Sequence, residues 1–273
     1  MTSITTYVVD SFTNQPFKGN PAGVCIIEEK LDDAQMLLIA QELGLSETAF
    51  IQKKEQSNNQ EFTIRYFSPK MEILLCGHAT LASAKVLFSI YDSVENINFT
   101  TNENLSLPVQ RKGKQIQMTF PIYDTSPMPA PKHLIEALGI KTIINSVYNS
   151  ETNILLLEID DRDLLESLRP NFVDLYNSHQ KINGVLVTAP STKGNYDFES
   201  RYFWPWSGTN EDPVTGGTHT FLAKYWSEKL NKTKMNSFQC SERSGFMTVE
   251  LLNDNQMTIS SEAQIVLEGK LFI

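Results

Sequence analysis

The chain has 273 residues, of which 41% are hydrophobic and 20% charged, a balance typical of globular proteins with a substantial core. Its net charge of −9 argues against nucleic acid or an anionic membrane surface as a partner. The N-terminus lacks a signal-peptide pattern, and no run approaches the roughly 18 apolar residues of a membrane span. Three widely spaced cysteines, Cys25, Cys76 and Cys240, predict reduced thiols in a cytoplasmic protein rather than a disulfide framework.

Short runs rich in β-branched residues predict strands along the whole chain. In chain order they are Thr5–Val9, Val24–Glu28, Phe62–Phe67, Ile97–Thr100, Ile116–Phe120, Ile154–Ile159, Gly184–Ala189, Phe198–Phe203, Met247–Leu251 and Gln264–Leu267. Helices are predicted over Asp32–Leu43, which stops at Gly44, and over the shorter segments His133–Leu138 and Asp161–Leu168. The proline-rich segment PIYDTSPMPAPK, from Pro121, is the predicted linker between two comparable halves.

The two halves resemble each other. EFTIRYFSP from Glu61 and DFESRYFWP from Asp197 share Phe, Arg, Tyr, Phe and Pro at the same spacing. Each leads to a glycine ahead of a helical pattern, in EILLCGHATLASAKVL from Glu72 and EDPVTGGTHTFLAKYW from Glu211. A fixed offset over strand, loop and helix predicts a duplicated domain. We therefore expect an N-terminal domain over 1–120, to which the C-terminal strand within 258–273 returns, and a second domain over 121–257.

The helical pattern after Gly77 is apolar nearly all round, which is typical of a buried helix. In a chain of many short strands, such a helix predicts a curved sheet or barrel wrapped around it. Its N-terminus offers free N–H groups and the positive end of the helix dipole, which bind carboxylate or phosphate. If the two halves face each other, both helix N-termini would point into one cleft.

Several ordered segments carry a specific resemblance. They are FTNQPFKGNPAGVC, GLSETAF, FSPKMEILLCGHATLASA, EDPVTGGTHTFLAKYW and QCSERSGFMTVEL. Together they resemble the phenazine-biosynthesis PhzF-like family, which has the diaminopimelate-epimerase fold. The resemblance implies an α+β protein of two similar domains, each a barrel-like sheet around a central helix, with the site between them. Characterised members isomerise a cyclic dihydro-hydroxyanthranilate by moving a proton, use no metal or organic cofactor, and are commonly homodimers.

Glu47 is the leading catalytic candidate. Alternation with a period of two places it on the same strand face as Ala49 and Ile51. Apolar neighbours favour the protonated form of a carboxylate, which suits a general acid/base that takes a proton from carbon and returns it. A strand-edge glutamate turned to solvent is the alternative. The resemblance favours the catalytic interpretation, because Glu47 matches the family's proton-shuttling glutamate.

His78 and Asp212 complete the predicted catalytic group. The residues alone are equally compatible with a half-buried histidine at a helix start and an acidic turn residue before Pro213. The resemblance implies that His78 contacts the substrate and assists proton movement, and that Asp212 hydrogen-bonds a polar group of the substrate.

Four further residues are predicted to bind the substrate, which we expect to be a small anionic carboxylate. Gly77, Gly216 and Gly217 would let the backbone approach a ligand closely, although tight turns and packing also require glycine. Asn20 in KGNPAG could reach the site or shape a turn. Family members usually read DPVTGS where this chain has Gly217, so a hydroxyl is missing. Thr218 and His219 are expected to compensate in part.

Cys76 precedes Gly77 and raises a second hypothesis. Epimerases and racemases of this fold use a cysteine at each helix N-terminus, but the repeat register places Thr215 opposite Cys76. Two-thiol chemistry therefore fails, and a cysteine-assisted epimerase or racemase remains only as an alternative, as does a non-catalytic binding protein on the same scaffold. Scattered histidines without H-E-x-x-H or cysteine-pair spacing predict no metal site, and no phosphate-binding glycine motif predicts a nucleotide.

Overall fold

A computed structural model describes residues 2–54 and 60–273. The strands are β1 Ser3–Ser11, β2 Asn20–Ile26, β3 Thr48–Lys53, β4 Glu61–Phe67, β5 Glu72–Ile73, β6 Asn96–Thr101, β7 Ser106–Lys112, β8 Gln115–Pro121, β9 Ser126–Pro127, β10 Asn145–Asn149, β11 Ile154–Glu158, β12 Gly184–Pro190, β13 Phe198–Phe203, β14 Glu211–Asp212, β15 Lys234–Gln239, β16 Gly245–Leu251, β17 Gln256–Ser261 and β18 Ala263–Phe272. The helices are α1 Asp33–Leu43, α2 Gly77–Ile90, α3 Lys132–Leu138, α4 Arg162–Ser167, α5 Phe172–Asn177 and α6 His219–Leu230. The chain divides into two compact units, one of residues 1–119 with 259–273 and one of residues 120–258.

The first unit is a mixed sheet around one buried helix. Its strands pair in the order β18-β1-β2-β3-β4-β6-β7-β8; β2 with β3 and β4 with β6 are parallel, and the other pairs are antiparallel. Helix α2 packs against β1, β2, β3 and β18. Ala79, Ala82 and Ala84 are fully buried, and their small side chains let the helix approach the sheet closely.

The second unit repeats this arrangement. Its strands pair in the order β9-β10-β11-β12-β13-β15-β16, again with two parallel pairs, β11 with β12 and β13 with β15. Helix α6 packs against β15 and β16, and the Trp226 ring stacks on Phe198 at 5.6 Å. Mixed sheets with few helices confirm the predicted α+β class.

Matching ion pairs occupy equivalent places in the two units. Arg65 on β4 donates two hydrogen bonds of 2.7 and 2.6 Å to Glu72 on β5. Arg201 on β13 donates two of 2.7 Å to Glu211 on β14. Each guanidinium also lies over the phenylalanine two residues later on its own strand. The repeat seen in the sequence is therefore a repeat of strands, register and side-chain contacts.

The proline-rich segment predicted as a linker begins where the two units divide, between residues 119 and 120, and it belongs to the second unit. Its Ser126 and Pro127 pair with β10, and the N–H of Tyr123 donates to the Thr220 carbonyl at 2.8 Å. The segment is packed into the second unit because its backbone groups find partners there. Among the described residues, no helix has the length and apolar character needed to cross a membrane.

Candidate active site

Three candidate functional side chains of the first unit meet where α2 begins. Glu47 immediately precedes β3, Cys76 is the N-cap of α2, and His78 is its second residue. Glu47 Oε2 lies 3.2 Å from His78 Nε2, and Cys76 Sγ lies 3.3 Å from His78 Nδ1. The imidazole therefore touches the carboxylate through one nitrogen and the thiol through the other.

The strand-alternation argument for Glu47 was wrong, although the residue does reach this cluster. β3 begins only at Thr48, and its first four residues are all buried, because β3 lies between β2 and β4 with α1 and α2 packed against it. Glu47 precedes the regular strand. Its backbone carbonyl accepts the N–H of Gly23 at 3.0 Å, which fixes its place at the sheet.

Burial sets the charge state of His78. The side chains of His78 and Glu47 are 10% and 15% exposed. Burial lowers the pKa of His78, and the Glu47 carboxylate opposes that shift only in part. At neutral pH the imidazole is therefore uncharged and carries one N–H, on Nε2 facing the Glu47 carboxylate or on Nδ1 facing the Cys76 thiol.

Residues from β1, β4 and α2 hold the backbone of the cluster, and sequence analysis missed them. Ser11 Oγ donates to the His78 carbonyl at 2.7 Å. Thr80 Oγ1 donates to the Cys76 carbonyl at 2.7 Å and lies 2.6 Å from the Tyr66 hydroxyl. Burial raises the pKa of Tyr66, so the phenol remains protonated. No short sequence pattern links these positions, since they meet only through the sheet.

The start of α2 favours an anionic ligand. Cys76 makes no side-chain capping hydrogen bond to the helix, and the first intrahelical bond of this turn runs from Thr80 N to the Cys76 carbonyl. The N–H groups of the first turn, including those of Gly77 and His78, lie at the positive end of the helix dipole. This feature fits the predicted carboxylate substrate.

Asn20 lies in a strand and not in a turn. It is the first residue of β2, is fully buried, and pairs with Ser11. Gly19 before it has a φ of +68°, and a Cβ there would lie 2.1 Å from the Ser11 carbonyl oxygen. Glycine at this position therefore allows the chain to bring Asn20 beside the residue that holds His78.

In the second unit, Asp212 is the last residue of β14 and is held in a hydrogen-bonded network. Its Oδ2 accepts the Thr215 hydroxyl, and the Gln239 side chain donates to the Asp212 carbonyl at 2.7 Å while accepting Thr215 N–H at 2.9 Å. Asp212 is half-buried. Thr215, the counterpart of Cys76, uses its hydroxyl to orient this carboxylate.

The glycines of the second unit precede their helix. α6 begins at His219, whose N–H donates to the Gly216 carbonyl at 3.0 Å. Gly217 is exposed, and no described atom lies within 4 Å of where its Cβ would be. A serine hydroxyl would therefore fit at this position.

Thr218 and His219 do not replace the missing hydroxyl, contrary to the sequence expectation. The Thr218 hydroxyl donates to the Thr215 carbonyl at 3.0 Å. The fully buried His219 ring contacts the Thr215 carbonyl at 3.0 Å and Ser237 Oγ at 2.7 Å. Burial lowers the pKa of His219 to about 4. Both side chains are already engaged in the interior of the unit.

The two units differ at the position of the candidate base. Thr48 pairs with Phe67, and Val185 pairs with the equivalent Phe203, so Glu47 corresponds to Gly184. A Cβ on Gly184 would lie 2.5 Å from the Tyr202 ring. The tyrosine fills the space that a side chain at this position would need, and the glutamate is found in the first unit alone.

Comparisons with known proteins agree with this architecture. The model of the phenazine biosynthesis-like protein family (PhzC-PhzF) matches residues 9–269. A phenazine biosynthesis-like domain-containing protein of Bos taurus is 40% identical over 285 residues, covering 97% of this chain and 98% of the relative. An uncharacterized isomerase of Halalkalibacterium halodurans is 39% identical over 270 residues, covering 98% of both chains.

Solved structures show the same likeness. The crystal structure of a PhzF family protein from Enterococcus faecalis has a TM-score of 0.91 and 36% identity, with both chains covered completely. A hydroxyproline epimerase from Agrobacterium vitis has a TM-score of 0.58 at 10% identity, covering 98% of this chain and 92% of the epimerase, which is a likeness of fold alone.

Proposed function

Because the chain belongs to the phenazine biosynthesis-like (PhzC-PhzF) family, we propose that it is an isomerase that moves a proton between two positions of a small cyclic or amino-acid-like carboxylate, without an organic cofactor. The observation that carries this proposal is the contact of 3.2 Å between Glu47 Oε2 and His78 Nε2. It places a carboxylate beside a neutral imidazole, at a helix N-terminus that favours anions.

In the proposed reaction, the Glu47 carboxylate takes a proton from a substrate carbon. The electron pair left behind is delocalised into the substrate; the protonated carboxyl exchanges its proton with solvent and then donates a proton to another carbon. The enzyme ends in its starting protonation state, so no external acid, base or oxidant is consumed. Neutral His78 orients the Glu47 carboxylate through Nε2–H, as a neighbouring side chain orients the catalytic group in other acid–base sites.

The substrate carboxylate would be held by the first turn of α2. The backbone N–H groups of Gly77 and His78 supply donors there, and Asn20 at the start of β2 is a candidate for a further polar contact. Substrate contacts by Asp212, Gly216 and Gly217 are proposed from the family resemblance.

A second candidate function is favoured by one observation, the distance of 3.3 Å between Cys76 Sγ and His78 Nδ1. Transfer of the thiol proton to this nitrogen would create a thiolate, the base that a cysteine-assisted epimerase requires. Two observations weigh against it. The lowered pKa of His78 disfavours the imidazolium that must form, and the repeat places Thr215, a much weaker acid, opposite Cys76.

A screen for carbon-bound hydrogen exchange tests the proposed function. Cyclic amino acids and hydroxy acids are incubated with the protein in heavy water, and mass spectrometry counts the deuterium gained at carbon. We expect at least one cyclic carboxylate to gain one deuterium per turnover and to yield a positional isomer. Return of every compound without carbon-bound deuterium would contradict the proposal and favour a binding protein. Inversion at one carbon without positional change would favour the epimerase.

A further inference from the structure

We propose that Glu47, Cys76 and His78 form a binding site for a thiophilic divalent cation of the Zn²⁺ class, and that the bound cation reversibly blocks proton transfer. The binding part of this proposal stands on the geometry of the three side chains. The inhibition part rests on the proposed function, because it requires Glu47 to be the proton carrier.

The three side chains lie close enough to supply ligands to one ion. One oxygen, one sulfur and one nitrogen of Glu47, Cys76 and His78 lie within 4.8 Å of one another. The distances from His78 Nε2 are 3.2 Å to Glu47 Oε2 and 4.0 Å to Cys76 Sγ. Ideal zinc bond lengths place nitrogen about 3.4 Å from oxygen and about 3.5 Å from sulfur. Because Cys76 Sγ lies nearer Nδ1, at 3.3 Å, an ion bound to Nε2 and Glu47 requires the Cys76 side chain to change rotamer and turn its sulfur toward the Glu47 side of the ring.

The chemistry of the donors selects the class of cation. Thiolate and imidazole favour Zn²⁺ and its neighbours in the first transition series over Mg²⁺ and Ca²⁺, which prefer oxygen ligands. On binding, the Cys76 thiol loses its proton to solvent and the sulfur bonds to the metal. Three protein ligands leave a fourth position for water, the arrangement of open zinc sites.

The backbone contacts of these residues preorganise the site. Two of the three ligands share the first turn of α2, where Thr80 and Ser11 hold the carbonyls of Cys76 and His78. Sequence spacing did not reveal the group, since Glu47 comes from a different element and no short motif encodes it. A metal on Glu47 Oε2 would occupy the oxygen beside His78 and pull the carboxylate away from the substrate.

Cobalt(II) binding tests the site without reference to activity. Reduced, metal-free protein is titrated with Co²⁺, and absorption is followed in the near ultraviolet, where thiolate-to-cobalt charge transfer appears. We expect one equivalent of Co²⁺ to produce this band and Zn²⁺ to remove it by displacement. Cys76→Ala should abolish the band, and Glu47→Gln should weaken Co²⁺ binding by at least about tenfold.

Cys240→Ala is the matched control. Burial raises the pKa of Cys240 to about 12 and that of Cys25 to about 11, so both remain thiols and the band should persist in the control. Far-ultraviolet circular dichroism checks that each variant is folded. Absence of the band in the unsubstituted protein, or its persistence in folded Cys76→Ala, would overturn the metal site.

The two parts of the proposal fail in different ways. If Co²⁺ binds with the band but no substrate exchanges its carbon-bound hydrogen, the metal site stands and the proposed function fails. If exchange occurs and one equivalent of Zn²⁺ leaves its rate unchanged, the inhibition is refuted while the proposed function stands. A loss of exchange with Zn²⁺ that EDTA restores supports both.

Discussion

His78 Nε2 lies 3.2 Å from Glu47 Oε2, which joins the first turn of α2 to the residue that leads into β3. Both elements belong to the packed centre of the first unit, where α2 lies against β3. Precise placement of a base is a large part of its catalytic effect.

Cys76→Ala should keep hydrogen exchange within about tenfold of the unsubstituted rate, because the thiol supports His78 only through a weak contact at 3.3 Å. Cys76→Ser should keep the activity as well and should raise the thermal unfolding midpoint, since serine is a favoured N-cap and Cys76 makes no side-chain cap. Exchange rates and calorimetry measure these effects. A loss of activity of a thousandfold or so in both variants would instead support the cysteine-assisted epimerase.

Gly217→Ser should restore a hydroxyl without a structural cost. The Cβ would meet no described atom within 4 Å, so the unfolding free energy should change by no more than about 0.5 kcal/mol. We expect Gly217→Ser to change the KM values of the screened carboxylates relative to one another, because a new polar group alters which substrates the site binds. Unchanged KM values for every exchanging carboxylate would show that position 217 does not contact the substrate.

Gly184→Ala should destabilise the protein by about 1–3 kcal/mol, because the new Cβ would lie 2.5 Å from Tyr202. Gly194→Ala is the matched control, since no described atom lies within 4 Å of its Cβ and its unfolding free energy should stay equal or rise slightly. Urea unfolding of both variants measures the difference. Equal stability of the two variants would contradict the account of why the second unit carries glycine where the first carries Glu47.

The pH dependence of stability should reflect His219. Burial lowers its pKa from 6.5 to about 4 in the folded protein, so the unfolded chain binds a proton at a pH where the folded protein does not. The contribution of His219 to the free energy of unfolding is complete above pH 6.5. It is lost as the pH falls towards 4, by up to about 3 kcal/mol. The lowered pKa of His78 acts in the same direction.

His219→Asn isolates this contribution. The asparagine amide can still donate to the Thr215 carbonyl but does not titrate. We expect this variant to be less stable at pH 7 and to lose less stability between pH 6.5 and 4.5 than the unsubstituted protein. Parallel stability curves for the two proteins would show that His219 does not titrate as described.

The fold was predictable because its strands and main helices carry strong local signals. The helix ending at Leu43 has a capping box between Asp32 and Gln35, and Gly44 adopts the left-handed conformation expected of its C-cap. Some strands were missed because their composition gives a weak strand signal. Ser106–Lys112 contains a proline and two basic residues, and Lys234–Gln239 is largely polar. Their pairing is decided by neighbouring strands and not by their own composition.

The candidate site was only partly accessible from sequence. Glu47 and His78 were chosen through the family resemblance, and the structure places them in contact. The supporting hydrogen bonds of Ser11 and Tyr66 and the proximity of Cys76 to both candidates required the three-dimensional register of β1, β4 and α2. Contacts between residues far apart in the chain leave no periodic pattern, so reasoning from spacing missed the cluster as a unit.

The rate of deuterium incorporation by Glu47→Gln tests the central claim most directly. Glutamine keeps the size of the side chain and can still contact His78, but it cannot accept a proton from carbon. With the substrate found by the exchange screen, we expect the variant to bind the substrate with nearly unchanged Kd and to exchange it at least about 100-fold more slowly. Exchange by Glu47→Gln at the unsubstituted rate would contradict the assignment of Glu47 as the proton carrier.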